Sequence, residues 1–227
     1  ALEQAQYVIE NGGYQLHADL GQVFSIHSLE TLWQLDPGIA GVNTEEAFTF
    51  VFTDGPPPYS ALSNDLVESF EEGDERLSNW VGSVSEGDGI WYHPFKYKLN
   101  TNTATTEECS VIFRLAELHL IVAEAAAQLG DTALALDHMN ILRERADLPA
   151  IVSMDQASVL DAIQRERRVE LFTEHGHRFF DLKRTGRIDG TLAPTKPNWQ
   201  GTDILLPVPE SELLLNQGES KRKDYYY

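Results

Sequence analysis

The densest run of chemistry-bearing side chains lies between Arg165 and Asp181: Arg165, Glu166, Arg167, Arg168, Glu170, Glu174, His175, His177, Arg178 and Asp181. Carboxylate and imidazole groups are metal ligands, and Glu170, Glu174 and His177 fall close to one helical face. Their spacing is not that of H-E-x-x-H, however, and Gly176 interrupts a helix between the second and third of them. A structural chemistry fits the run better. Asp161 with Arg165, Arg167 with Glu170, and Arg178 with Asp181 stand three or four positions apart, where opposite charges meet on a helix surface. The run therefore reads as an ion-pair lattice tying a long helix to the turn after it, and no catalytic residue and no metal ligand is assigned. Such a lattice, where buried, fixes geometry more than it adds net stability.

Ligand contact is assigned instead to aromatic rings in or beside loops: Tyr59, Trp80, Trp91 and Tyr92. The competing reading has Trp80 and Trp91 capping the core, since large aromatic rings bury much area. Phe48, Phe50, Phe95 and Tyr97 are read as core positions of strands. The histidines at 17, 27, 93, 119 and 138 are scattered, and His119 and His138 fall within helices as packing or surface residues. Gly87 to Trp91 lacks the helix and lysine that a phosphate-binding loop needs. No G-x-S-x-G elbow occurs either, so no cofactor is implied.

These side chains are carried by a mostly helical pattern. Val111, Leu115, Leu118, Val122, Ala125 and Leu129 recur at helical spacing, and Ala135, Met139, Leu142 and Ala146 continue it beyond Gly130-Asp131. Gly130 suits a helix C-terminus and Asp131 an N-cap, which predicts a helical hairpin over Ile112 to Ala146 with Leu115, Leu118, Val122 and Leu142 buried. The segment LGDTALA is similar to half of a tetratricopeptide repeat, in a single copy. Further helices are expected at the N-terminus up to Gly12-Gly13, after Ser63, over Gln156 to Thr173 and over Arg178 to Lys183. Alternation at Ala47 to Phe52 and at Trp91 to Leu99 predicts two short strands. Asn79 to Gly89 is expected as an exposed loop, and the tail from Asp203 as an extended segment before a polar end.

Composition narrows the function. A content of 42% hydrophobic residues is ordinary for a packed core, and a net charge of −19 opposes nucleic-acid binding, which needs clustered cations. Neutral or weakly charged ligands fit that field better. Cys109 is the only cysteine, so no internal disulfide and no multi-cysteine zinc site can form. No apolar run approaches the roughly 20 residues that span a bilayer. The chain opens inside a helix, with Ala5, Val8 and Ile9 spaced for burial, as expected of a fragment or processed product.

Several motifs then occur in one order: AQYVIENGGYQL, LSNDLVESFEEGDERLSNWV with its Gly-Asp-x-Arg turn, RLAELHLIVAEAAAQLG, NILRERA, IQRERRVELFTEHGHRFFDLKRTGR and LPVPESELLLN. In this the chain resembles the C-terminal portion of the SusD/RagB family of outer-membrane nutrient-binding lipoproteins. The resemblance implies a mainly α fold with a tetratricopeptide-like hairpin, few short strands and long loops. It implies one region over 1–227, in which 1–107 ends the helical repeats and forms a loop-rich middle and 108–227 is the helical C-terminal part. It also implies a non-enzymatic protein on the surface of the outer membrane, lipid-anchored in the parent protein, that passes an oligosaccharide or other nutrient to a SusC-like TonB-dependent transporter. In that setting the aromatic rings would stack on the apolar faces of sugars. The family's N-terminal half is absent, and NQGESKRKDYYY replaces its usual Pro-Gly-Tyr ending. A helical-repeat scaffold that binds a protein partner is the alternative. A carboxylate-dependent hydrolase would require a close pair of cleft carboxylates with raised pKa values.

Overall fold

The computed structural model describes residues 1–205 and 209–215. Its helices are α1 (Leu2–Asn11), α2 (Glu45–Phe50), α3 (Asn64–Val67), α4 (Glu75–Trp80), α5 (Leu115–Gln128), α6 (Thr132–Arg145), α7 (Gln156–Glu170), α8 (His177–Arg184), α9 (Ile188–Leu192) and α10 (Glu210–Leu215). The strands are β1 (Thr31–Leu35), β2 (Val81–Glu86), β3 (Gly89–Pro94) and β4 (Ser110–Arg114). They form two antiparallel pairs, β1 with β4 and the hairpin β2–β3. The chain is mainly helical, as the sequence predicts. Its contacts group into two units, Ala1–His175 and Gly176–Tyr227. The second unit carries α8 to α10; within it Asp181 pairs with Arg184 at 2.7 Å and Asp189 accepts the Trp199 indole N–H at 2.8 Å.

The helical hairpin closes as its turn residues dictate. Gly130 adopts a φ of +87°, which only a residue without Cβ takes freely, and the Asp131 carboxylate accepts the N–H of Leu134 at 3.0 Å to start α6. Ala135, Met139, Leu142 and Ala146 are fully buried. On α5 the expected stripe shifts. Leu115 and Val122 are buried, but Leu118 is only half-buried and Leu129 is exposed, while Ala116, Leu120, Ala123 and Ala126 are buried. The cause is that α5 packs on α1, α6 and α7, so its buried arc is too wide to show as one stripe. The helix also begins at Leu115 instead of Ile112, because Ser110–Arg114 pairs with β1 as β4.

Three other expectations are corrected. Residues 47–52 are not a strand: Thr44 caps α2 by accepting the Ala47 N–H at 3.2 Å, and Glu45 and Glu46 complement the first-turn dipole, so local capping overrides the β preference of the aromatics. Phe48 is consequently exposed and Phe50 half-buried, both on this helix; Tyr97 is buried but lies outside the strands, as does Phe95. Asn79 to Gly89 is not an open loop, because α4 runs to Trp80 and Val81–Glu86 is a strand, turned at Gly87 (φ +58°) onto Gly89–Pro94. In the tail, Gly201–Ile204 is a short 3-10 turn and Glu210–Leu215 a helix, not an extended segment; the remainder of that expectation, 206–208 and 216–227, lies outside the described residues.

Candidate functional site

The charged run resolves into a buried lattice centred on Glu170, the last residue of α7. Its carboxylate accepts Arg114 at 2.6 Å and Arg145 at 2.5 Å on one oxygen and Arg76 at 3.0 Å on the other. These arginines come from the end of β4, from α6 and from α4, so Glu170 ties three elements together. Glu166, one turn earlier, accepts Arg76 at 2.5 Å and Arg143 at 3.3 Å. Arg76 is itself aligned by Asp74, which caps α4 and accepts from the Arg76 Nε at 2.9 Å; this is the physical content of the Gly-Asp-x-Arg turn. Glu30 accepts from Arg114 at 3.1 Å and from Arg145 at 2.8 Å. Lys96 donates to the Glu174 carboxylate and to the carbonyls of Glu170 (2.7 Å) and Phe172 (2.9 Å), filling acceptors that the end of a helix leaves open.

Electrostatics fix the charge states. Burial alone would raise the Glu170 pKa, but Arg145, Arg114 and Arg76 together outweigh it and hold the carboxyl well below its usual range. For Glu174, burial is likewise outweighed by Arg114 and Lys96, which keep its pKa at about 2. Burial lowers Lys96 to about 8 against the pull of Glu174, so its ammonium stays charged at neutral pH. Every one of these groups is spent on a neighbour. Glu166 differs in direction, since burial raises its carboxyl pKa despite Arg76 and Arg143, and among the described residues no group of three His, Cys, Asp or Glu side chains is placed to hold a metal ion.

The four aromatic candidates do not form one platform. Trp80 has 0% of its surface exposed; its indole N–H donates to the Leu20 carbonyl at 2.9 Å, and Lys96, Arg114 and Arg145 lie 5.0–5.8 Å from its ring. It is the aromatic floor of the lattice and offers a ligand no surface, which corrects its placement in an exposed loop. Trp91 is half-buried against the backbone: a Cβ added at Gly55 or at Gly89 would come within 2.3 Å of its ring. Tyr92, its neighbour, points to the opposite face of the β2–β3 hairpin with Ile90, as strand alternation requires. There it lines a cleft of about 360 Å³ with Asn64, Val67, Glu68, Asp88 and Ile90. Tyr59, 80% exposed, stands on the Pro-rich loop. Among the described residues none of the four rings pairs with another.

Sequence reasoning missed three features. Trp33 and Phe113, cross-strand partners on β1 and β4, are about half exposed with ring centroids 5.9 Å apart. His119 and His138 face each other with their Nδ1 atoms 3.1 Å apart, and burial followed by His138 lowers the His119 pKa to about 4. Both lie on the hairpin, where a 19-residue separation hides the pairing until the turn at Gly130 is placed. The third is a cleft lined by Phe48 and the Asn100 to Asn102 loop.

The fold has known counterparts. Surface glycan-binding protein A from Bacteroides thetaiotaomicron superposes with a TM-score of 0.74 at 19% identity, covering 96% of this chain and 57% of that protein. The same protein in complex with laminarihexaose gives 0.74 at 18% identity over the same shares. Surface glycan-binding protein A from Bacteroides uniformis gives 0.72 at 21% identity, over 95% of this chain and 54% of that one. Two SusD-like proteins of Formosa agariphila, P38 and P25, are 33% identical over 107 residues and 32% identical over 117. Those stretches are 43% and 47% of this chain but only 21% and 22% of the relatives, so the chain matches about a fifth of their length. The sequence model of the SusD family matches residues 85–226, and the chain belongs to that family.

Proposed function

We propose that the parent protein is a non-catalytic glycan receptor on the surface of the outer membrane, lipid-anchored there, which hands its ligand to a SusC-like TonB-dependent transporter. The observation that carries this reading is the fold shared over nearly the whole chain with glycan-binding proteins, one of them holding laminarihexaose. The cleft beside Tyr92 supports it chemically. A tyrosine ring and Ile90 offer an apolar face, and Asn64, Glu68 and Asp88 surround it with the hydrogen-bonding groups that hydroxyls need. The net charge of −19 favours a neutral glycan over an anionic one. Of the four rings first considered, Tyr92 takes the principal contact and Tyr59 and Trp91 remain secondary candidates.

The test is a glycan array followed by calorimetry on this chain and on its parent, with laminarihexaose as the first titrant and product analysis after long incubation. Saturable heat without shortened oligosaccharide is the expected result. Hydrolysis products, or the absence of any glycan binding by the parent, would overturn the proposal.

A further inference from the structure

Residues of the segments 42–48 and 99–102 line a second cleft, of about 170 Å³, which shares no residue with the one beside Tyr92. Its walls are fixed by the protein's own bonds. Buried Asn43 uses its whole amide: Nδ2 donates to the Thr101 carbonyl (3.1 Å) and the Thr103 hydroxyl (3.0 Å), and Oδ1 accepts the N–H groups of Glu107 (3.0 Å) and Glu108 (3.2 Å). The Glu108 carboxylate in turn accepts the N–H groups of Lys98 (2.8 Å) and Leu99 (3.1 Å). At Gly41, with φ +82°, a Cβ would stand 2.3 Å from the Thr103 carbonyl oxygen, so the two segments can approach this closely only with glycine there.

What faces the opening differs from what fixes it. Phe48 is 72% exposed, a large apolar ring held out on α2 by the burial of its neighbour Ala47. Across from it the side chains of Asn100, Thr101 and Asn102 have no hydrogen-bond partner among the described residues. Glu45 also lines the cleft and no lysine or arginine does, so a phosphate or carboxylate would meet a like charge and no opposite one there. An exposed aromatic face opposite free amides and a hydroxyl, in a rigid and uncharged-to-acidic setting, matches a neutral ring that is apolar on its faces and hydroxylated on its edge. The volume lies below the roughly 300–1,000 Å³ of drug-sized pockets, so the cleft holds one ring of a longer chain.

We infer that Phe48, Asn100 and Asn102 form a second sugar subsite, which takes a single neutral pyranose unit of a glycan. This rests on the glycan-receptor reading and adds to it a separate contact, so that a long oligosaccharide meets the protein at two independent places.

The experiment is an amide-detected NMR titration of the full chain with three neutral probes, laminarihexaose, maltohexaose and cellohexaose, on the wild type, Phe48→Ala and Tyr92→Ala. The expected result is that the side-chain amides of Asn100 and Asn102 shift with at least one probe. They should shift equally in Tyr92→Ala, and with an apparent affinity weakened roughly three- to tenfold in Phe48→Ala, the worth of one aromatic contact. Because Phe48 is exposed, that variant keeps its fold, which its unchanged distant resonances would register. Shifts confined to Asn64, Asp88 and Tyr92 would overturn the second subsite and leave the receptor function intact. Unchanged Asn100 and Asn102 shifts in Phe48→Ala would overturn the role of the ring. Silence at both clefts with all three probes would overturn both readings for this chain.

Discussion

The lattice beneath α7 and the cleft on the β2–β3 hairpin treat polar side chains in opposite ways. Around Glu170, cations and carboxylates from four elements are removed from water and consumed by one another, with Trp80 as the floor under three of the cations. At the hairpin the polar groups are few, and Asn64, Glu68 and Asp88 keep contact with solvent around one tyrosine ring. The energetic reason is that a buried charge is tolerated only when geometry and partners compensate its desolvation, which demands many charged residues close together. A binding surface demands the reverse, groups left with unused hydrogen-bonding capacity. In this protein, density of ionisable residues marks architecture, and the proposed site lies where they are sparse.

The largest effect that can break this comparison is at Glu170. Glu170→Ala leaves Arg76, Arg114 and Arg145 facing one another without their common acceptor and is expected to cost about 3–5 kcal/mol, read as a lowered urea midpoint. Arg168→Ala removes a charge of the same run whose partner Asp65 is mostly exposed, and is expected to cost about 0–1 kcal/mol. Equal costs for the two variants would mean that the buried lattice does not hold the fold.

Core packing gives the next effect. Leu142→Ala empties a fully buried position where the hairpin meets α7 and should cost about 2–5 kcal/mol, whereas half-buried Leu118→Ala should fall at or below the low end of that range. A reversal of that order in thermal denaturation would contradict the position of α5.

Acid titration separates the two kinds of buried ionisable group. His119 has a folded pKa of about 4 against an ordinary 6.5, so the unfolded chain binds more protons between these values. Its contribution is complete above pH 6.5 and is lost as pH falls toward 4. Glu174, at about 2 against 4.5, keeps its contribution above pH 4.5 and loses it only below that. Stability of the wild type should therefore decline in two stages, and His119→Asn should flatten the first and leave the second. An unchanged slope between pH 6.5 and 4 in that variant would exclude the histidine pair as its source.

The parts legible in the sequence are those set by local rules. The Gly130-Asp131 turn, the helix start after Ser63 and the long run of α7 follow from residues within a few positions of one another. The lattice was legible in kind and not in partners: helix spacing suggests Arg167 for Glu170, while the arginines at 76, 114 and 145 reach it from 94, 56 and 25 positions away. Trp80 misled because a Ser- and Gly-rich stretch follows it, although Asp74 had already started the helix that carries it inward. Phe48 misled because aromatic alternation is shared by strands and by short capped helices, and only the Thr44 cap distinguishes them.

The smallest effect on stability, and the most diagnostic, is expected at Tyr92. Its ring is partly exposed and faces the cleft, while the strand is held by backbone pairing with Ser83 and by the bond from the Leu62 N–H to the Tyr92 carbonyl at 2.7 Å, both of which survive truncation. Tyr92→Ala should therefore move the unfolding midpoint little and weaken glycan affinity by about tenfold, the order of one lost aromatic contact. Trp80→Ala supplies the contrast: it empties a fully buried volume under Lys96, Arg114 and Arg145 and should cost about 3–5 kcal/mol of stability, with the affinity of the surviving folded fraction unchanged. Stability and binding are thus expected to respond to different aromatic residues. A Tyr92→Ala variant that binds glycan as tightly as the wild type would remove the hairpin cleft from the site and leave the Phe48 cleft to carry binding alone.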